Sequence, residues 1–237
     1  MLSDEKFNEK AKDFLLLKTT DSKYFTFEEY KEKIKDTQID KNDRTVILYT
    51  HDLDEHHSLI NSAKDKGYDV VVLDGPLSSH YIQKAEQDHA VSFARLDADT
   101  LDNIIAKDQE IPSKLSKEEE EKIKPIFENI SEKEKFTIQV ESLSETEKPV
   151  LITQSEFMRR MKEQQALGGG MQMMGNLPEM YNLVINANHT FISKILSAKK
   201  NDKEKLAKQA FDLALLSQGM LKGKDLTNFV ERSYELI

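Results

Sequence analysis

The sequence predicts two regions of different class. Residues 1–115 read as α/β, a small parallel-sheet αβα subdomain, and residues 116–237 read as α+β, mainly helical with a short antiparallel sheet. Three observations predict this. Between Arg44 and Leu96, short apolar runs alternate with amphipathic helical stretches, which is how a parallel sheet with crossover helices is written. Between Ile111 and Lys135 the composition turns to charge, notably over 117–122, with Pro112 and Pro125 as breaks, so a boundary is placed there. Beyond it, helical spacing of apolar residues dominates to the end of the chain.

The elements follow in order. Ser3 as N-cap, Asp4 and Glu5 in the first turn, and Phe7, Ala11, Phe14 and Leu15 at helical spacing predict an opening helix. Thr26 followed three residues later by Glu29 is a capping box, which starts a short helix through Ile34. Residues 45–50 form the first strand, and a helix over about 54–66 carries Leu59, Ile60 and Ala63 on one face. It ends at Gly67, which suits the left-handed C′ position because it has no Cβ. A second strand (69–73), the turn Asp74-Gly75-Pro76, a helix over about 78–87 and a third strand (91–96) complete a βαβαβ unit.

In the second region, residues 136–140 alternate apolar and polar as a half-buried strand does, and they are expected to pair with 150–153 across a polar turn. Ser155 starts a helix bearing Phe157, Met158 and Met161 that runs into Gly168-Gly169-Gly170. Three consecutive glycines lose much entropy on ordering, so mobility is expected there. After residues 182–185, helices are predicted over about 190–198, 202–218 and 225–237.

Composition excludes several function classes. Lys+Arg 34 against Asp+Glu 43 leaves a net charge of −9, which repels phosphate backbones, and no sustained basic stripe offsets it, so nucleic acid is not an expected partner. The absence of cysteine excludes disulfides, thiolate metal sites and cysteine nucleophiles and fits a reducing compartment. Apolar runs of four to six residues fall far short of the roughly 20 that span a bilayer. The first residues lack the basic start and apolar centre of a signal peptide. The expectation is a cytoplasmic protein without membrane contact.

His51, Asp52, Asp54, His56 and His57 follow the first predicted strand, at the end where open α/β sheets bind ligands. Two readings stay open for them. One is a small α/β enzyme or metal-binding protein using His51, Asp52 and His57. The other is a polar loop with a helix cap. His80 and His89 are expected on helix surfaces. The turn after Thr50 has no glycine to admit a pyrophosphate, and no catalytic motif occurs elsewhere.

Methionine is concentrated instead. Six of the eight, Met158, Met161, Met171, Met173, Met174 and Met180, fall in one window beside the glycine run. Polarizable, unbranched thioethers adapt to irregular partners, so the window reads either as a binding surface or as core filling. In the last helices Leu206, Ala207, Ala210, Phe211, Leu213, Ala214, Leu215 and Leu216 spread over more than one face, and Leu226, Phe229, Val230, Ser233, Tyr234 and Ile237 form a second stripe. Either a twin chain completes a four-helix bundle across a two-fold axis, or the helix at 190–198 completes an intrachain one.

The segment Asn176-Leu177-Pro178-Glu179-Met180-Tyr181-Asn182-Leu183-Val184-Ile185-Asn186-Ala187-Asn188-His189, with Asp212-Leu213-Ala214-Leu215-Leu216-Ser217-Gln218-Gly219, resembles the C-terminal domain of the heat-shock protein 90 chaperone family, bacterial HtpG type. Phe27-Glu28-Glu29-Tyr30-Lys31-Glu32-Lys33-Ile34 and Asn61-Ser62-Ala63-Lys64-Asp65-Lys66-Gly67-Tyr68-Asp69-Val70 resemble the last α/β part of that family's middle domain. The resemblance implies a homodimer joined through the last helices. The interface residues are then Leu206, Ala210, Phe211, Leu213, Leu215, Leu216, Leu226, Phe229, Val230 and Tyr234. It further implies contact with unfolded client proteins through Phe157, Met158, Met161, Met171, Met173 and Met174. ATP and magnesium belong to family regions that precede those matched, so no cofactor and no enzyme activity are expected of this chain. Its first residues resemble an internal stretch of the family. The acidic terminal pentapeptide of eukaryotic cytosolic members is missing, which points to the bacterial branch.

Overall fold

The computed structural model describes residues 14–106, 111–155, 158–160 and 179–234, together with Lys6 and Lys10. The described residues form two compact units, one of 14–106 with 158–160, the other of 111–155 with 179–234. Of the predicted opening helix, Lys6 and Lys10 are helical, and the other residues up to 13 lie outside the described ones. By Leu16 the chain is already a strand.

The first unit is organised by β3 (Val46–Thr50), whose five residues are all buried. Successive strand side chains point to opposite faces. Ile47 and Tyr49 therefore join Leu17, Phe27, Tyr30, Ile82 and Phe93 in one core, while Val46 and Leu48 join Ile60, Ala63, Val70 and Leu96 in another. A strand covered on both faces reads as a continuous apolar run, which is why residues 46–49 show no alternation. Helices α1 (Phe27–Ile34) and α3 (Ser78–His89) cover the first face, and α2 (His57–Asp65) and α4 (Leu101–Ile104) the second.

β3 runs parallel to both β4 (Val70–Val72) and β5 (Ser92–Arg95), as the βαβαβ pattern predicts. The purely parallel sheet expected from the sequence is corrected. β1 (Leu16–Thr19) and β2 (Tyr24–Thr26) add a hairpin at the edge, antiparallel to each other and to β4, so the sheet is mixed in the order β2-β1-β4-β3-β5. Strands of four and three residues are too short to show a period. The capping box is present: Thr26 Oγ1 accepts from Glu29 N–H and the Glu29 carboxylate accepts from Thr26 N–H, an arrangement worth about 1 kcal/mol. Gly67 takes φ +77° after α2, the left-handed stop its position called for. His80 is exposed as expected, but His89 is not an ordinary surface residue, since its ring stacks on Phe27 at 4.0 Å.

In the second unit the charged run is the solvent side of α5 (Lys117–Glu128), opened by a Ser116–Glu119 capping box, with Ile123 and Phe127 fully buried beneath. Pro125 lies inside this helix instead of breaking it. The antiparallel hairpin predicted for this unit is also corrected. β6 (Phe136–Glu141) and β7 (Val150–Thr153) do not pair. Both flank β8 (Tyr181–Asn186), parallel and antiparallel to it respectively. Leu183, Val184 and Ile185 are fully buried, the mark of a central strand. Helices α6 (Thr190–Ser197), α7 (Lys200–Ser217) and α8 (Gly223–Tyr234) follow.

Two buried amides fasten the loops of this unit to the end of β8. Asn186 donates to Ser144 O at 2.9 Å and accepts from the N–H groups of Leu143 and Asn188. Asn188 donates to Pro112 O and Leu143 O and accepts from Lys114 N–H at 2.7 Å. Backbone groups that no ladder reaches are satisfied in this way. No helix among the described residues is long and apolar enough to cross a membrane.

Candidate interaction surfaces and polar sites

Helix α7 spends one apolar stripe on its own unit. Ala207, Ala210, Phe211 and Ala214, at spacings of three and four, enter the core with Phe127, Phe136 and Ile195, and Phe211 meets Phe136 edge to face at 5.2 Å. Leu206 and Leu215 pack half-buried beside them. That leaves a second stripe. Leu213 is 50% exposed and Leu216 42%, and on α8 Val230 is 41% and Tyr234 75% exposed. Phe229 is buried and Leu226 half-buried.

A polar clasp joins the two helices. Asp212, almost fully buried, accepts from Lys208 Nζ at 2.6 Å one turn earlier and from the Arg232 guanidinium at 2.5 Å. Arg232 Nε donates to Gln209 Oε1 at 2.9 Å, and Gln209 donates to Ser233 Oγ at 3.1 Å. A buried carboxylate is tolerated only when its lone pairs are met, and here two cations meet them. The clasp sets the angle at which α8 presents Val230 and Tyr234.

Of the residues expected to touch clients, Phe157, Met161, Met171, Met173 and Met174 lie outside the described residues. Met158 is half-buried at the start of a helical stretch. The two arginines after it are anchored in the first unit. Arg160 grips Glu86 through two hydrogen bonds of 3.0 and 3.1 Å and donates to Phe93 O. Arg159 is buried, donates to the Tyr49 hydroxyl and lies 5.8 Å from that ring's centroid.

At the carboxyl end of β3, Thr50, Asp52 and His56 form a compact turn. Asp52 Oδ1 accepts from the N–H groups of Asp54 and Glu55, which holds its carboxyl below the usual range. The set His51, Asp52 and His57 named from the sequence does not assemble. Asp52 caps the loop, and His57 is exposed with its Nδ1 3.5 Å from Asn61 Nδ2. Instead His51, Glu55 and the buried His56 converge. Burial pushes the His56 pKa down, against a smaller upward pull from Asp97. The unfolded chain therefore binds a proton that the folded chain refuses, and stability rises with pH through that window. The contribution is complete above the ordinary imidazole pKa near 6.5 and is lost as pH falls below it. Urea unfolding at pH 7.5 and 5.5 is expected to show lower stability at the acid value, with a flatter difference in His56→Asn. The carboxylates held low, Asp52 and Asp97 among them, lose their contribution only at more acid pH.

The description "Hsp90 protein" is that of the family model that matches this chain, over residues 1–237. The chain belongs to the Hsp90 family. Among curated relatives, the HtpG chaperones of Bacteroides fragilis (strain YCH46) and Bacteroides thetaiotaomicron are each 34% identical over all of the chain and 45% of their own length. The HtpG chaperone of Porphyromonas gingivalis (strain ATCC 33277) is 41% identical over 86% of the chain and 30% of its own length. The chain thus spans less than half the length of these relatives.

Within this Hsp90 chain, the residues singled out for a subunit interface divide by environment. Leu213, Leu216, Val230 and Tyr234 face outward, Leu206, Leu215 and Leu226 are intermediate, and Ala210, Phe211 and Phe229 face inward. Asp212, Gln209 and Arg232 were not singled out. The signal for Asp212 was a carboxylate inside an otherwise apolar run, four residues after a lysine. Arg159 and Arg160 gave none, because two arginines on a short helix look like ordinary surface charge.

Proposed function

We propose that this Hsp90-family chain joins two protomers of an HtpG-type chaperone through α7 and α8 and offers adaptable apolar surface to unfolded client protein. The observation that carries the reading is the outward stripe of Leu213, Leu216, Val230 and Tyr234, set on a helix pair already clasped to its own core. Large side chains at such exposure on adjacent helices are costly unless a partner covers them. A second copy brings the same stripe across a two-fold axis, so each helix pair completes the other's bundle. ATP and magnesium enter this reading only through regions of the relatives that the chain does not span. Joining two protomers raises the effective concentration of whatever domains they carry for one another.

Sedimentation equilibrium over a dilution series tests the first half. A mass of twice 27.3 kDa that persists on dilution is expected, and a monomer at every concentration overturns the dimer. For client contact, Met158→Ser with Met161→Ser is expected to weaken suppression of a model substrate's aggregation while unfolding stability changes by less than about 1 kcal/mol. A large stability loss would instead assign these methionines to packing.

A further inference from the structure

We infer that His51, Glu55 and His56 form a binding site for a divalent transition-metal ion of borderline softness at the carboxyl end of β3. One ligand atom from each of the three lies within 4.8 Å of the other two. His51 Nε2 and Glu55 Oε2 are 3.5 Å apart, and the two imidazole rings meet edge to face at 4.9 Å. Bond lengths near 2.0–2.1 Å in a tetrahedral site put neighbouring ligand atoms about 3.3 Å apart. His51 and Glu55 are both exposed, so rotation about their side-chain bonds closes the remaining gap while His56 stays fixed.

The tautomer of His56 is the second observation. The single proton of the Thr50 hydroxyl is given to the Asp52 carbonyl at 2.8 Å. The 2.8 Å contact between that same hydroxyl oxygen and His56 Nδ1 must then take its proton from the ring. A neutral ring with its proton on Nδ1 carries its lone pair on Nε2, the state in which a metal-binding histidine is held by a hydrogen bond to its other nitrogen. Asp97 Oδ2 lies 4.0 Å from that Nε2. Both Asp97 oxygens already accept from Arg95. Two acceptors thus face each other, and a cation beside them is favoured.

Imidazole and carboxylate together select zinc, cobalt, nickel or copper over magnesium or calcium. Three protein ligands leave a position for water. The site lies between the end of β3 and the first turn of α2, and occupancy ties the two together.

The test is titration of the metal-stripped chain with zinc chloride by calorimetry, with thermal unfolding as a second readout. A single equivalent is expected to bind and to raise the unfolding midpoint, because an ion bound by the folded state alone stabilises it. His51→Ala and Glu55→Gln, both at exposed positions, are expected to weaken binding by at least about tenfold, a loss of the size that metal-site changes produce. His57→Ala, one residue outside the cluster, is expected to bind as the parent does. No binding, binding that survives both His51→Ala and Glu55→Gln, or binding lost equally in His57→Ala would overturn the site.

Discussion

Leu213→Glu combined with Val230→Glu is expected to dissociate the proposed dimer without unfolding either protomer. Both positions are exposed in the single chain, at 50% and 41%, so a carboxylate there costs the protomer less than about 0.5 kcal/mol. In a closed four-helix bundle each loses about 2 kcal/mol of apolar burial and must also bury a charge. The dissociation constant then rises by at least about a thousandfold, from the burial terms alone. Sedimentation equilibrium at concentrations where the parent is dimeric should give a single-protomer mass, with unchanged circular dichroism and urea midpoint. Retention of the dimer in the double variant would move the interface away from these helices. Substitutions at Leu215 or Phe229 are poorer tests, because the first packs against the protomer's own core and the second is buried.

Phe127→Ala is expected to destabilise the second unit by about 3–5 kcal/mol, the range for emptying an aromatic position in a closed core. Phe127 is fully buried on α5, in the cluster that also holds Phe136, Leu183, Ile192 and Phe211. None of these belongs to the two clusters of the first unit. The urea transition of the second unit should therefore move to lower denaturant while the first unit's stays in place. A uniform shift of both would show that the cores unfold as one. The size of the loss also separates this residue from the exposed stripe on α7 and α8, where the same truncation is expected to change stability by less than about 0.5 kcal/mol.

The legible part of the fold was the part in which local pattern and tertiary environment agree. Residues 46–49 are apolar without interruption because helices cover both faces of β3, and a run bounded by turns states that directly. The capping boxes at Thr26 and Ser116 and the stop at Gly67 are local devices, fixed by residues a turn apart. Pairing is not local. Nothing in residues 136–153 shows that β6 and β7 each choose a strand that arrives much later, and a polar turn between two apolar runs imitates a hairpin. The histidine turn failed in part for a similar reason. Asp52 and His57 have the right chemistry, but a cap consumes the first and helix phase turns the second outward, whereas Glu55 and His56 gain their place from the turn that leads into α2. The outward stripe on α7 was visible as surplus apolar surface, yet only the packed core distinguishes Leu213 from Phe211.

The order of strands in the second unit has a consequence for synthesis. β7 ends at Thr153 and β8 begins at Tyr181, yet β8 lies between β6 and β7 and makes every ladder bond the two of them form. On a ribosome, both outer strands emerge first and wait with open edges, exposing Phe136, Val150 and Ile152 until the central strand is made. Release of the chain anywhere between those points leaves two unpaired strands and no sheet. An Hsp90-family segment built this way is itself exposed to aggregation while it is being born, and the interval closes only when Leu183, Val184 and Ile185 are delivered between their neighbours.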